Sequence, residues 1–156
     1  MDEPSPPAGI RTILLASDLT AASAPAEDLA FELAARLDGE LLLVSVIDPR
    51  ALWLSNGGFR QRIDQAREDR QIAAQGIVER GHRDGVAMRT LIWEGDPAES
   101  IVEAAIAESV DLIVVGSHGR RGVDRLVMGS VSEQVVRTSP VPVVVARGPG
   151  PPRPAH

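Results

Sequence analysis

Residues 111–133 read Asp111-Leu-Ile-Val-Val115-Gly116-Ser-His-Gly119-Arg-Arg-Gly-Val-Asp-Arg-Leu-Val-Met-Gly129-Ser130-Val-Ser-Glu133. A short, continuous apolar run bounded by polar and glycine signals is the pattern of a strand covered on both faces. Gly116 closes that run, and a glycine-rich loop continues to Gly129. Ser130 followed three residues later by Glu133 has the spacing of a capping box and predicts a helix ending near Thr138. Val141-Pro-Val-Val-Val145 then forms a further strand, with Pro140 and Pro142 around its start.

The same alternation extends toward the N-terminus. Asp96-Pro97-Ala98-Glu99 opens a helix to about Ser109, because Asp caps, Pro suits the first turn, and Glu reaches back. Val86 to Trp93 alternates and reads as a strand near a sheet edge. Before it lies a polar helix, Arg60 to Arg83, with Ile63, Ala66, Arg70, Ala73, Ile77 and Gly81 along one face and a solvated opposite side. Residues 50–59 fit neither period and read as a loop; Trp53, Leu54 and Phe59 there either cover a ligand or pack against the sheet. Leu41 to Ile47 is a near-continuous apolar strand stopped by Asp48-Pro49. A helix from about Ser23 to Leu37 precedes it, with Gly39 at the usual position of a helix-ending glycine. Ile10 to Ala16 is the first strand. Strands alternating with helices in this way predict an α/β domain, a three-layer sandwich with a parallel sheet and helices on both faces. That domain is expected over residues 9–147, between disordered tails at 1–8 and 148–156.

With 156 residues the chain suits one domain with a real core. It has no cysteine, which removes disulfides, thiolate nucleophiles and Cys-ligated metals, and fits a reducing cytoplasm. All 16 basic residues are arginine, so Schiff-base chemistry, a phosphate-loop lysine and a lysine general base are excluded. A net charge of −6 argues against nucleic acid as a partner. No apolar run reaches the roughly 18 residues of a membrane span, and the acidic, Pro-rich Met1 to Gly9 lacks the form of a signal peptide. The expectation is a soluble cytoplasmic protein without a membrane partner.

In open α/β sheets, ligands sit beyond the carboxyl ends of strands where the winding reverses. Two such ends carry polar or glycine-rich sequence: Ala16-Ser17-Asp18, and Val115-Gly116-Ser117-His118-Gly119. Glycines at 116, 119 and 129 allow close backbone approach, and a helix starting at Ser130 offers free N–H groups to an anion. Without lysine, phosphate would be held by backbone N–H groups, by the Ser130 and Ser132 hydroxyls, and by Arg120, Arg121 or Arg125. This favours holding phosphate over transferring it, and no catalytic residue is assigned. His118 is read as shaping the loop, and Glu94 and Asp96, which look like an acid pair, are explained by helix capping.

Gly-x-x-Gly, nine residues, then Gly-Ser, complete here at Gly116, Gly119, Gly129 and Ser130, resembles the nucleotide-binding pattern of the universal stress protein family. The likeness runs from about Arg11 to Arg147. It includes Asp18 after the first strand, Val46-Ile-Asp48 ending the second, Gly95-Asp-Pro-Ala-Glu before a helix, and Pro140-Val-Pro-Val-Val-Val145. The resemblance implies a Rossmann-like fold of the adenine nucleotide alpha hydrolase type, with strand order 3-2-1-4-5. It also implies a nucleotide, usually ATP, across strands one and four. On that reading Asp18, beside Ala16 and Ser17, binds the ribose hydroxyls, and the backbone at Val46 faces the adenine. Gly116 and Gly119 pass beneath the ribose and α-phosphate, with Val115, His118 and Arg120 in the same ATP-binding set, while Gly129, Ser130, Val131 and Ser132 cradle the phosphates.

The function this implies is an ATP-binding, nucleotide-dependent stress-response module, with Mg²⁺ arriving on the nucleotide rather than at a dedicated protein site. ADP, AMP and cyclic adenine nucleotides stay open as ligands. The alternatives are a slow ATPase or autophosphorylating enzyme using the same pocket, and a nucleotide-free dimeric interaction protein. A homodimer is expected through the last strand, at Val141, Val143, Val144 and Val145, because an edge of consecutive valines needs cover. A further protein partner is implied but not identified.

Overall fold

A computed structural model describes residues 9–53, 58–117 and 129–148 of the chain. His118, Gly119, Arg120, Arg121, Arg125 and Leu54, with the tails at 1–8 and 149–156, lie outside these residues. Five strands, β1 (Thr12–Ala16), β2 (Glu40–Ile47), β3 (Met88–Glu94), β4 (Leu112–Gly116) and β5 (Val143–Ala146), form one sheet. Between them run α1 (Ala24–Leu37), α2 (Pro49–Leu52), α3 (Phe59–Asp84), α4 (Pro97–Ala107) and α5 (Ser130–Thr138), with a 3-10 turn at Ala21–Ser23.

The sheet is wholly parallel in the order β3-β2-β1-β4-β5, as the family resemblance implied. Because side chains alternate across a strand, β1 sends Ile13 and Leu15 to one face and Leu14 to the other. Ile13 and Leu15 meet Phe31, Ala30 and Ala34 of α1 and Ala74 of α3. Leu14 meets Ala104 and Ile101 of α4 and Val135 of α5. All three β1 side chains are fully buried. Burying each is worth about 1.5–3 kcal/mol, and this explains why the central strands read as near-continuous apolar runs. At the opposite end from the cavity described below, Asp111 Oδ2 accepts from the N–H groups of Arg11 at 2.8 Å and Thr12 at 2.9 Å. These backbone bonds, Thr12 first, hold the Asp111 carboxyl below its ordinary pKa.

Several local expectations change. The left-handed residue after α1 is Asp38, with φ 52° and ψ 43°, rather than Gly39. Gly39 serves a different need: a Cβ there would lie 2.9 Å from the Arg11 carbonyl oxygen, where the chain enters β2 beside β1. The buried stripe of α3 passes through Ala74 and leaves Ala73 exposed, so the stripe is Ile63, Ala66, Arg70, Ala74, Ile77 and Gly81. The stretch expected as a loop over 50–59 begins with α2, whose cap is Asp48 accepting from Arg50 N–H at 2.9 Å. Val141 precedes β5 instead of lying in it. The edge character expected for the third strand holds, since β3 and β5 are the two borders of the sheet.

Two glycines separate close approach from mere tolerance. Gly39→Ala pushes a methyl group onto backbone and should lower unfolding free energy by about 1–3 kcal/mol. Gly76, inside α3, has nothing within 4 Å of where a Cβ would stand. Gly76→Ala should therefore raise it by about 0.5–1 kcal/mol. Urea denaturation of the two variants checks both signs.

Candidate functional site

The winding reverses between β1 and β4, so the connections after these neighbours leave on opposite faces and open a crevice. A cavity of about 520 Å³ occupies it. That is within the roughly 300–1,000 Å³ of small-molecule sites. Ala16, Ser17 and Asp18 enter from β1, Val46 from β2, and Val115 and Gly116 from β4. Gly129, Ser130, Val131 and Ser132 enter from the start of α5. The structure thus brings together every site residue expected from the sequence except His118, Gly119 and Arg120, which lie outside the described residues. A second cavity of about 450 Å³ between α3 and β3 contains none of them.

Asp18 is held by a compact turn. Leu19 adopts φ 63°, a left-handed conformation costing a leucine about 1–2 kcal/mol. This bend lets Asp18 Oδ1 accept from Thr20 N–H at 2.9 Å, Thr20 Oγ1 at 2.7 Å and Ser23 Oγ at 2.7 Å. Among the described residues, every hydrogen bond to this carboxylate falls on Oδ1. The other oxygen, Oδ2, is left to accept from a ligand on a residue that lines the cavity. Burial by itself would raise the Asp18 pKa; the Thr20 and Ser23 bonds and the nearby Arg70 charge together outweigh it and hold the group below its ordinary value. Asp18 is therefore an anion throughout the neutral range.

Behind it, Ser17 Oγ accepts from Leu19 N–H at 2.9 Å and donates to Glu27 Oε1 at 3.0 Å. Burial raises the Glu27 pKa, against the Ser17 bond and the Arg80 charge, which act to lower it.

Across Gly116, α5 presents its N-terminus. The capping residue is Gly129, extended at φ −60° and ψ 153°, with no side-chain cap. Ser130 is thus the first helical residue and not the cap, and Glu133 pairs with Arg137 at 2.8 Å instead of reaching back. The cause is that Gly129 N–H bonds the Ser117 carbonyl at 3.0 Å, which fixes the helix entry one residue earlier. The first-turn N–H groups have no partner within the helix, and the terminus carries a partial charge of roughly +0.5. By contrast, the cap expected at Asp96 forms, with Asp96 Oδ1 accepting from Glu99 N–H at 3.1 Å.

The sequence reading missed part of the wall: Ser23, Asp48, Ala51, Leu52, Ala66 and Arg70. Arg70 left a trace, as a cation on the apolar stripe of α3. Asp48 also caps α2, and Arg50 bridges it to Asp96, with both contacts at 2.9 Å. That arrangement ties the roof of the cavity to α4, though Arg50 is largely exposed and each bridge contributes little. Among the described residues no group of three or more His, Asp or Glu could hold a metal ion, and no helix is long and apolar enough to cross a membrane.

With this geometry established, comparison with known proteins is informative. The family model for the universal stress protein family matches residues 9–147. A universal stress protein of Methanocaldococcus jannaschii is 30% identical over 141 residues, covering 89% of this chain and 83% of that protein. A solved structure of a second protein from that organism aligns at TM-score 0.82 and 26% identity, covering 91% of this chain and 99% of the other. Two neighbours at 21% identity share the fold: an Arabidopsis thaliana universal stress family protein with AMP bound, and a universal stress protein in complex with cAMP. Their TM-scores are 0.65, over 92% of this chain and 97% of that one, and 0.68, over 90% and 98%. The chain belongs to the universal stress protein family.

The two carboxylates at this site give opposite pH signs. A lowered folded pKa, as at Asp18, supplies stability above the ordinary aspartate value of about 3.9 that is lost as pH falls through the folded value. A raised one, as at Glu27, costs stability at neutral pH, and the cost disappears below the ordinary glutamate value of about 4.3. Glu27→Gln, which keeps an acceptor for Ser17, should be more stable than the parent at pH 7 and equal to it below about pH 4. Urea denaturation at the two pH values provides the comparison.

Proposed function

We propose that the chain binds an adenine nucleotide, ATP in the first instance, in this cavity and acts as a nucleotide-dependent module of the stress response. The observation that carries the reading is the pairing of two complementary features across Gly116: a cavity-lining carboxylate whose Oδ2 accepts no hydrogen bond among the described residues, and a helix N-terminus without a side-chain cap. A ribose supplies hydroxyl donors to the first, and phosphate is the anion for the second. The apolar surface of Val46, Leu52, Ala66 and Ile101 suits a purine ring. Bound AMP and cAMP in two structural neighbours support the adenine assignment. Mg²⁺ would enter on the nucleotide, neutralising phosphate charge that the described cavity leaves to helix N–H groups. Any hydrolysis would be slow, because the chain has no lysine to place at a phosphate.

The partner surface follows from the sheet. β5 is a border strand, and Val143, Val144 and Val145 are all half-buried. Val136 on α5 is 44% exposed, adding apolar surface on the adjoining helix. Pairing of β5 with its copy in a second chain would satisfy the open edge and cover the valines, with Val141 at the margin.

Nucleotide released by heating purified protein, identified by mass spectrometry, and calorimetric titration of stripped protein with Mg-ATP test the site. Gly129→Val sets a branched side chain at the helix entrance and should abolish binding without unfolding the chain. Asp18→Asn should weaken it at least about tenfold, since a charged acceptor is worth about 1.5–3 kcal/mol. Unchanged titration of both variants would place nucleotide elsewhere. In sedimentation, Val144→Asp should convert a dimer into monomer at micromolar concentration.

A further inference from the structure

The inner face of α3 reads Ile63, Ala66, Arg70, Ala74, Ile77 and Gly81: small or apolar at every position but one. A guanidinium there is removed from most of its water, which is unfavourable unless other groups replace that hydration. One replacement comes from β2. Ser45 is completely buried, its side chain stands on the α3 side of the sheet, and its Oγ accepts from Arg70 Nη1. The guanidinium is thereby fixed in the cavity wall near the end of β2, close enough to Asp18 for its charge to act on that carboxylate. Arg70 is also the one cation among the described residues that line the cavity. It approaches from α3, whereas the anion-binding terminus belongs to α5, which packs on the opposite face of the sheet.

A cation intended for phosphate would be placed beside α5. This one is placed with Ala66, Val46 and Asp18, the surfaces that take base and ribose under the proposed function. We propose that Arg70 is a specificity-determining residue of the cavity, whose guanidinium donates to acceptor atoms on the nucleoside half of the bound nucleotide. The inference rests on the nucleotide reading above and extends it. The physical reason for arginine is that it carries several charged in-plane N–H donors, so that one can reach a single ring nitrogen of the adenine or a ribose oxygen while another stays on Ser45. Its seat on Ser45 orients the guanidinium before a ligand arrives, which limits the ordering cost on binding. The nucleoside would then contribute a large share of the affinity, with phosphates adding to it.

The test uses adenosine, AMP and ATP, titrated calorimetrically against the whole chain. The variant is Ser45→Ala with Arg70→Met, which removes the Ser45–Arg70 donor and acceptor together, so that neither is left facing a lost partner. A melting temperature close to the parent's confirms that the fold persists. The expected result is that affinity falls about tenfold for all three ligands by a similar factor, because the lost contact belongs to the part they share. Arg70→Gln, which keeps a donor for Ser45 but lacks the charged fork, should show the same loss and carries the test if the double variant fails to fold. Undiminished adenosine affinity in the folded variants overturns the proposal, as does a loss confined to the phosphorylated ligands, which would make Arg70 a phosphate contact. A parent protein that ignores all three ligands would overturn the nucleotide reading itself, an outcome distinct from either of these.

Discussion

The reversal of winding between β1 and β4 is the constraint from which the rest of the molecule follows. These strands lie side by side and parallel, yet the chain leaves β1 toward β2 and β3 on one side and leaves β4 toward β5 on the other. Each crossover must carry its helix over one face, so α1 and α3 cover one side of the sheet while α4 and α5 cover the other. At the reversal no helix can close the gap at the carboxyl end, and the cavity is the space that remains. What enters it is determined by connectivity: a turn from β1, the start of α5 after β4, and the inner edges of α3 and α4.

This is also why so much was legible in the sequence. Strands covered on both faces must be almost continuously apolar, and Leu41 to Ile47, broken only at Ser45, and Leu112 to Val115 show that directly. Helices that cover them must carry small apolar residues at helical spacing, as Ala30 and Ala34 do in α1. The polar and glycine residues at strand ends, Asp18 and Gly116 above all, stand out against that background and occur where the crevice must lie. The family resemblance added the strand order, which alternation of elements cannot supply.

What the sequence obscured has a consistent physical origin: one-residue shifts that tertiary contacts decide. Local preference favours glycine in the left-handed position after α1, but Asp38 takes it, because Gly39 is needed where the backbone passes the Arg11 carbonyl. Ala73 and Ala74 are equivalent in hydrophobicity, and only packing against the sheet buries the second. Ser130 and Glu133 have a capping box's spacing, but the bond from Gly129 N–H to Ser117 makes Gly129 the cap. That shift changes the site, since a side-chain cap would occupy the N–H groups that an uncapped terminus leaves for an anion. The far walls, at Leu52, Ala66 and Arg70, were hidden because they are brought in by helices distant in sequence from the glycine loop.

Charge at the site follows the same division into two halves. Asp18 is exposed at the cavity, and the partial burial that acts to raise its pKa is outweighed by the Thr20 and Ser23 bonds and the Arg70 charge. Glu27, one hydrogen bond further along through Ser17, has weaker support and moves the other way. The two neighbouring carboxylates therefore shift in opposite directions from their ordinary values, the one lining the cavity downward and the one behind it upward. The Ser17 hydroxyl joins them, accepting from Leu19 N–H beside Asp18 and donating to Glu27, and the Asp18 charge is itself among the influences that raise Glu27.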